Sequence, residues 1–289
     1  MMKLFYYAQT GHRIGLDRFR RAAAMIECLE DVDIRLLTSD YRIASVAREY
    51  GVKECVGIDV ARNIANIAQR GDKLIFDSDE ANPLMLEDMR SFFSVFVRII
   101  DDKEPQRSQN EYIISPYYED EQSLKSLMIA PRYFGGFKKD IPVSFFFGDD
   151  DYEKDLQKHL DFIDGIDLYL QLGFYYFLAY EDMLRERFDK IFEFEEYDQM
   201  VQRTDILITS SPQTALESLA SGGRPIYFQR EDYSKDLVPL LQELGIPTIF
   251  DYDKKELNSI LENISDIAYK KVENNCYKTK NFLKNILNL

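Results

Sequence analysis

Only three cysteines (Cys28, Cys55, Cys276) and two histidines (His12, His159) occur among 289 residues, too few and too scattered for the Cys/His clusters that hold structural zinc. The first strand-like run, residues 3–8, leaves no room for a basic segment followed by an apolar signal core, so the chain is expected in the cytoplasm with reduced thiols. Positive charge is also short: 36 Lys and Arg face 51 Asp and Glu, a formal net charge of −15. Such a surface repels phosphate backbones and anionic membranes, so neither is an expected partner, whereas a basic protein could be one. No apolar run approaches the roughly 18 residues of a membrane span. The longest candidate, 92–100, is broken by Ser94 and Arg98. What remains is ample for folding, since a 45% hydrophobic chain of this length can build a core in each of two domains.

Short apolar runs alternate with amphipathic stretches, the rhythm of βαβ units and a mainly parallel sheet. In the first half, strands are expected near 4–8, 34–38, 53–56, 73–77, 95–101 and 112–115, with helices near 18–29, 41–50, 60–69 and 83–90. Residues 119–126 read as an acidic loop. The second half restarts with strands near 143–147, 168–171, 190–193, 206–209, 225–228 and 248–250. Its helices are expected near 153–162, 197–202, 213–221, 235–244 and 255–264. The stretch 135–142, with Gly135, Gly136 and Pro142, reads as a linker. The expected organisation is an α/β domain over 1–137, a second over 138–265, and one basic helix over 267–289 that packs back toward the first.

In open α/β sheets ligands bind beyond the carboxyl ends of the strands, so the residues after each strand are the candidates for chemistry. In a two-domain chain those ends are expected to face a shared cleft. After the first strand, Gly11 and Gly15 permit a tight loop. There His12 or Asp17 could serve as general base, and Arg18, Arg20 and Arg21 could hold an anion. The plainer alternative is that Asp17 caps a helix and the arginines form a solvated face. Acids end the strands at Asp77 and Asp101, where they could ligate a divalent metal or cap the next helix. Capping is the expectation, and neither a metal nor a cofactor is assigned. In the second half, Gly148 precedes Asp149, Asp150 and Asp151 at a strand-to-helix turn. Farther on, Thr209, Ser210 and Ser211 lead through Pro212 into a helix bearing Glu217, either a phosphate cradle or an ordinary N-cap.

The order of these pieces resembles a family. The run Ile14-Gly-Leu-Asp-Arg-Phe-Arg-Arg21 is similar to the I-G-x-G-H-x-x-R motif of the UDP-sugar hydrolase of pseudaminic acid biosynthesis and its glycosyltransferase-like relatives. Leu74-Ile-Phe-Asp77, Val97-Arg-Ile-Ile-Asp-Asp102, Ala130-Pro-Arg-Tyr133, Gly148-Asp-Asp-Asp151 and Thr209 to Glu217 resemble further family segments in the same order, over nearly the whole chain. The resemblance implies the GT-B fold, two Rossmann-like domains. It implies a bacterial sugar-nucleotide hydrolase or glycosyltransferase of surface-glycan synthesis, with a UDP-type sugar as partner. It places Gly15, Arg18, Asp77 and Asp101 at the substrate, and Gly148, Thr209, Ser210, Ser211 and Glu217 at the nucleotide; the catalytic base would be His12, or Asp17, or absent. Glu217 would take the ribose.

The chain departs from the family where the chemistry should be. The family's catalytic histidine aligns with Arg18, a guanidinium that cannot accept a proton near neutral pH, and the glycine before it aligns with Asp17. The second glycine of the pyrophosphate loop aligns with Asp149. At roughly 6 Å and an effective dielectric of ~20, a carboxylate repels each phosphate charge by about 2–3 kcal/mol. A helix N-terminus returns only ~0.3–2 kcal/mol. Two expectations therefore stand: a sugar-nucleotide enzyme, or a GT-B protein that has lost catalysis and serves as a binding or structural partner.

Overall fold

The computed structural model describes residues 2–80 and 82–288. Contacts divide the chain into two compact units, the first taking residues 1–11, 18–131 and 274–289, the second 12–17 and 132–273.

The first unit is built on a seven-stranded, all-parallel sheet. Its strands are β1 (Leu4–Ala8), β2 (Ile34–Thr38), β3 (Glu54–Gly57), β4 (Lys73–Asp77), β5 (Val95–Ile99), β6 (Tyr112–Ser115) and β7 (Ser123–Lys125), in the order β3-β2-β1-β4-β5-β6-β7. β1 and β4 are buried at every residue, as continuous apolar runs covered on both faces must be. One face packs Phe5, Tyr7, Leu37, Phe76 and Phe96 into a core. Helix α1 (Asp17–Cys28) buries the Ala22–Met25 run. α2 (Tyr41–Val46) is capped by Asp40, and α3 (Pro83–Phe92) begins with Asn82 as N-cap and proline in the first turn. The sheet order reverses between β1 and β4, whose ends are level because Ala8 pairs with Asp77.

The second unit holds a six-stranded parallel sheet. Its strands are β8 (Ile141–Phe146), β9 (Tyr169–Gln171), β10 (Ile191–Phe192), β11 (Thr204–Thr209), β12 (Arg224–Phe228) and β13 (Thr248–Ile249), in the order β10-β9-β8-β11-β12-β13. The reversal falls between β8 and β11, where Phe146 pairs with Thr209. The helices are α4 (Asp155–Lys158), α5 (Leu178–Arg187), α6 (Tyr197–Arg203), α7 (Pro212–Ala220), α8 (Val238–Glu243) and α9 (Lys254–Glu262). Phe145, Leu170, Ile208, Phe228 and Ile249 form the centre of its core. Helix α10 (Cys276–Leu287) counts with the first unit, burying Thr279, Leu283 and Leu287.

Several local expectations are corrected. Residues 119–126 are not all loop: Ser123 and Leu124 are buried and β7 pairs with β6, a strand too short to show alternation. Helix α5 carries only Tyr180 and Leu184 as buried residues, an i,i+4 pair too sparse to announce a helix. The stretch 60–69 forms a 3₁₀ segment at Ala61–Asn66, and 153–162 breaks at His159 into α4 and a 3₁₀ turn. The tail is helical only from Cys276. Before it the chain runs along the second unit, where Lys270 N donates to Leu244 O at 2.9 Å and Ala268 O lies so close to Gly245 that a Cβ there would clash. The thiols are not all reduced, because Cys28 and Cys276, 248 positions apart, form a disulfide.

Candidate functional site

Each unit presents residues at its own reversal point, the place where an open parallel sheet leaves a crevice beyond its strand ends. In the first unit Asp77 ends β4 with its side chain only 1% exposed. Arg21, one turn into α1, meets it with two nitrogens, Nε to Oδ2 at 2.9 Å and Nη2 to Oδ1 at 2.6 Å, while Nη1 reaches Asp101 Oδ1 at 2.6 Å. Tyr6 donates its hydroxyl to the same carboxylate at 3.0 Å. Arg18 sits farther out, 3.6 Å from Asp77 and 2.5 Å from Asp79. Burial raises the Asp77 carboxyl above its usual range, against the pull of Arg21. Arg18, Asp77 and Asp101 are thus brought together, and Arg20 is buried on α1 beside them in sequence.

The second unit gathers His12, Gly15, Asp17, Gly148, Thr209, Ser210, Ser211 and Glu217. β8 ends in a turn at Gly148, whose φ of +117° is open only to glycine. A Cβ there would lie 3.1 Å from Tyr233 Oη and 3.4 Å from Arg230 Nη1. Asp149, Asp150 and Asp151 that follow are all buried, and two of them have evident tasks. Asp151 accepts the amides of Asp155 (2.7 Å) and Leu156 (3.1 Å) and the Tyr180 hydroxyl, capping α4; burial raises its carboxyl. Asp150 Oδ1 lies 2.8 Å from His12 Nδ1, and its Oδ2 accepts the amides of Arg13 (2.9 Å) and Tyr152 (3.2 Å). The His12 ring stacks on Phe177 and abuts Tyr152 and Tyr175. Beneath the turn, the Arg230 guanidinium lies between the rings of Phe147 and Tyr233 and donates to the carbonyls of Phe147 and Asp150.

The hydroxyl turn after β11 is fully employed. Ser210 donates to Phe147 O, and Thr209 Oγ1 accepts the Ser211 amide at 3.0 Å. Ser211 is the N-cap of α7, accepting the Thr214 amide at 3.0 Å. Its own proton goes to Asp17 Oδ1 at 2.6 Å, and the Gln213 amide points at Asp17 Oδ2 from 3.3 Å. The N-terminus of α7 therefore already holds an anion, the chain's own Asp17. One turn on, Glu217 is buried; Oε2 accepts from Tyr197 Oη at 2.7 Å and Oε1 from Gln213 Nε2 at 2.9 Å.

Sequence reasoning had Asp150 in the acidic turn without its bond to His12, and missed Arg230 and Tyr197 as members of this constellation. Gln213 was within reach of it, since its i,i+4 spacing from Glu217 puts both on one helix face. Tyr197 and Arg230 come from elements distant in sequence, and no local pattern marks them. Among the described residues no group of three or more His, Cys, Asp or Glu could hold a metal ion, and no helix is long and apolar enough to cross a membrane.

Solved structures resemble this chain over its full length. The UDP-GlcNAc 2-epimerase of Methanocaldococcus jannaschii, in complex with UDP-GlcNAc and UDP, superposes with a TM-score of 0.62 at 12% identity, covering 100% of both chains. MnaA of S. aureus, solved with UDP, gives 0.61 at 10% identity, covering 100% of this chain and 98% of that one. MurG of Acinetobacter baumannii gives 0.60 at 11%, covering 100% and 99%. The chain has the GT-B fold. No protein-family profile and no curated protein sequence matches it. Identities this low carry the fold and not the activity.

Proposed function

We propose that this GT-B chain binds and turns over a nucleotide-activated sugar of the UDP type, the hydrolase or glycosyltransferase class that the motif order implies, with an amino sugar of surface-glycan synthesis as the substrate. The observation that carries the reading is the anion seat of the second unit. α7 offers the Gln213 amide and the Ser211 hydroxyl to a carboxylate, at the reversal point of the sheet, with the buried acid Glu217 one turn away. A diphosphate brings two negative charges and several acceptor oxygens and can take the place of Asp17 there. Solved neighbours of the same fold carry UDP, which favours the same ligand. Of the two candidate bases, His12 suits proton abstraction better. A neutral ring that donates Nδ1–H to Asp150 carries its lone pair on Nε2, the orientation a general base needs. Arg18, paired with Asp77 and Asp79, serves as a binding residue and not as a base.

The test is calorimetry with UDP, CMP, GDP and UDP-N-acetylhexosamines, with and without magnesium, followed by turnover of any sugar nucleotide that binds. UDP compounds are expected to bind, with Glu217→Ala weakening them by ~1–3 kcal/mol through the lost charged hydrogen bond. His12→Ala is expected to cut turnover by ~10²–10⁴ with little change in binding. The second reading, a GT-B protein without catalysis, is favoured by one feature: every hydroxyl of the turn and the first amides of α7 are already satisfied within the chain. Binding without turnover would select it. Binding of none of the nucleotides would refute the first.

A further inference from the structure

The three cysteines occupy different surroundings. Cys55, on β3, is the unpaired one, and burial pushes its thiol up to about 11, which keeps it protonated and unreactive at neutral pH. Cys28 closes α1 and is 6% exposed. Cys276 is the first residue of α10, half-buried, with Lys278 and Lys280 on the following turn. Of the two paired cysteines Cys276 is the more exposed, so a reagent in solution reaches its sulfur first. Helix α10 does not depend on the sulfurs for its place. Thr279 exchanges a hydroxyl hydrogen bond with Ser126 at 2.9 Å, Lys280 and Lys284 both pair with Asp31, and Leu283 and Leu287 are fully buried. With the Cα atoms of Cys28 and Cys276 held 5.3 Å apart, the two thiols stay poised for each other in the reduced chain.

We infer that Cys276 is a thiol-modification site for low-molecular-weight disulfides such as oxidised glutathione, and that Cys28 is its resolving partner, making the pair a reversible staple of the C-terminal helix. The Cys276 thiolate attacks one sulfur of the reagent; the reagent's S–S bond breaks and one thiolate leaves. The Cys28 thiolate then attacks the Cys276 sulfur of the mixed disulfide and expels the second thiolate. The protein loses two electrons and the reagent is reduced to two thiols. An excess of reduced glutathione reverses both steps. The inference stands on the first unit alone, independent of any nucleotide chemistry.

The experiment is intact-mass analysis and peptide mapping of the reduced full chain titrated with glutathione at set ratios of oxidised to reduced form. The wild type is expected to lose two hydrogens and retain no glutathione, with Cys55 still alkylatable after unfolding. Cys28→Ser, and Cys28→Ala as a second replacement, should instead stop with one glutathionyl group on Cys276. Cys276→Ser should take up glutathione roughly tenfold more slowly, since Cys28 is buried and the raised Cys55 thiol stays protonated. Circular dichroism confirms that each variant is folded. The oxidised wild type should melt several degrees above the reduced form, a difference absent from either serine variant. A persistent mixed disulfide on the wild type, modification of Cys55 ahead of Cys276, or equal uptake by the Cys28→Ser and Cys276→Ser variants would overturn the assignment.

Discussion

The two units solve the same problem, acidic side chains at the ends of a parallel sheet, by different means. In the first, guanidinium groups from α1 neutralise Asp77 and Asp101 in a compact ion-pair network. In the second, Asp150 and Asp151 are satisfied largely by backbone amides, with His12 and Tyr180 adding to them, and a further carboxylate, Asp17, sits on the N-terminus of α7. A network of fixed opposite charges is costly to disrupt and slow to exchange for a ligand. A seat made of one amide and one hydroxyl at a helix start holds whichever anion competes best for it. On the proposed reading, ligand exchange belongs to the second unit and rigidity to the first.

The largest expected effect breaks the first unit's network. Arg21→Met strands Asp77, a buried carboxylate, and should destabilise the first unit by ~3–5 kcal/mol, read from chemical denaturation. Arg18→Met removes only the outer, 3.6 Å contact with Asp77, and should cost no more than about 1 kcal/mol. Equal losses from the two would dissolve the distinction between an inner and an outer arginine. In the second unit, Asp151→Asn should cost ~1–2 kcal/mol, because it weakens a charged cap of α4 while leaving an acceptor in place.

A smaller effect separates the units by pH. Burial lowers Lys139 to about 8, and its Nζ donates to Gln202 O at 2.8 Å and Ser221 Oγ at 3.0 Å. Between that value and the usual lysine range the unfolded chain holds a proton that the folded chain has released, so stability rises with pH in this window. The melting temperature of wild type relative to Lys139→Met should climb from pH 8 to about 10. A flat or falling difference would contradict the burial of the amine.

Much of the architecture was legible because buried parallel strands are written as continuous apolar runs. Residues 4–8, 34–38, 73–77 and 112–115 are strands as the sequence reads, and the GT-B expectation agrees with the two parallel sheets and the solved neighbours. Elements that owe their existence to one or two contacts were not legible, as β7 and α5 show. At the site, the strand-end rule led to Asp77, Gly148 and the hydroxyl turn because local sequence carries that information. It could not show that Asp17 belongs to α7 and not to its own helix alone, since their partnership spans 194 positions. The disulfide was illegible for the same reason: Cys28 and Cys276 meet only through the docking of α10.

The proposed nucleotide phosphate site on α7 is held in the free protein by Asp17. Titrating UDP into the wild type and Asp17→Asn side by side in a calorimeter tests it most directly. The neutral amide competes less well for Ser211 and the Gln213 amide and repels no phosphate, so UDP should bind the variant roughly tenfold more tightly, a gain of about 1.4 kcal/mol. Equal affinity in the two proteins would show that UDP binds elsewhere, and no heat from either would remove the nucleotide from the account.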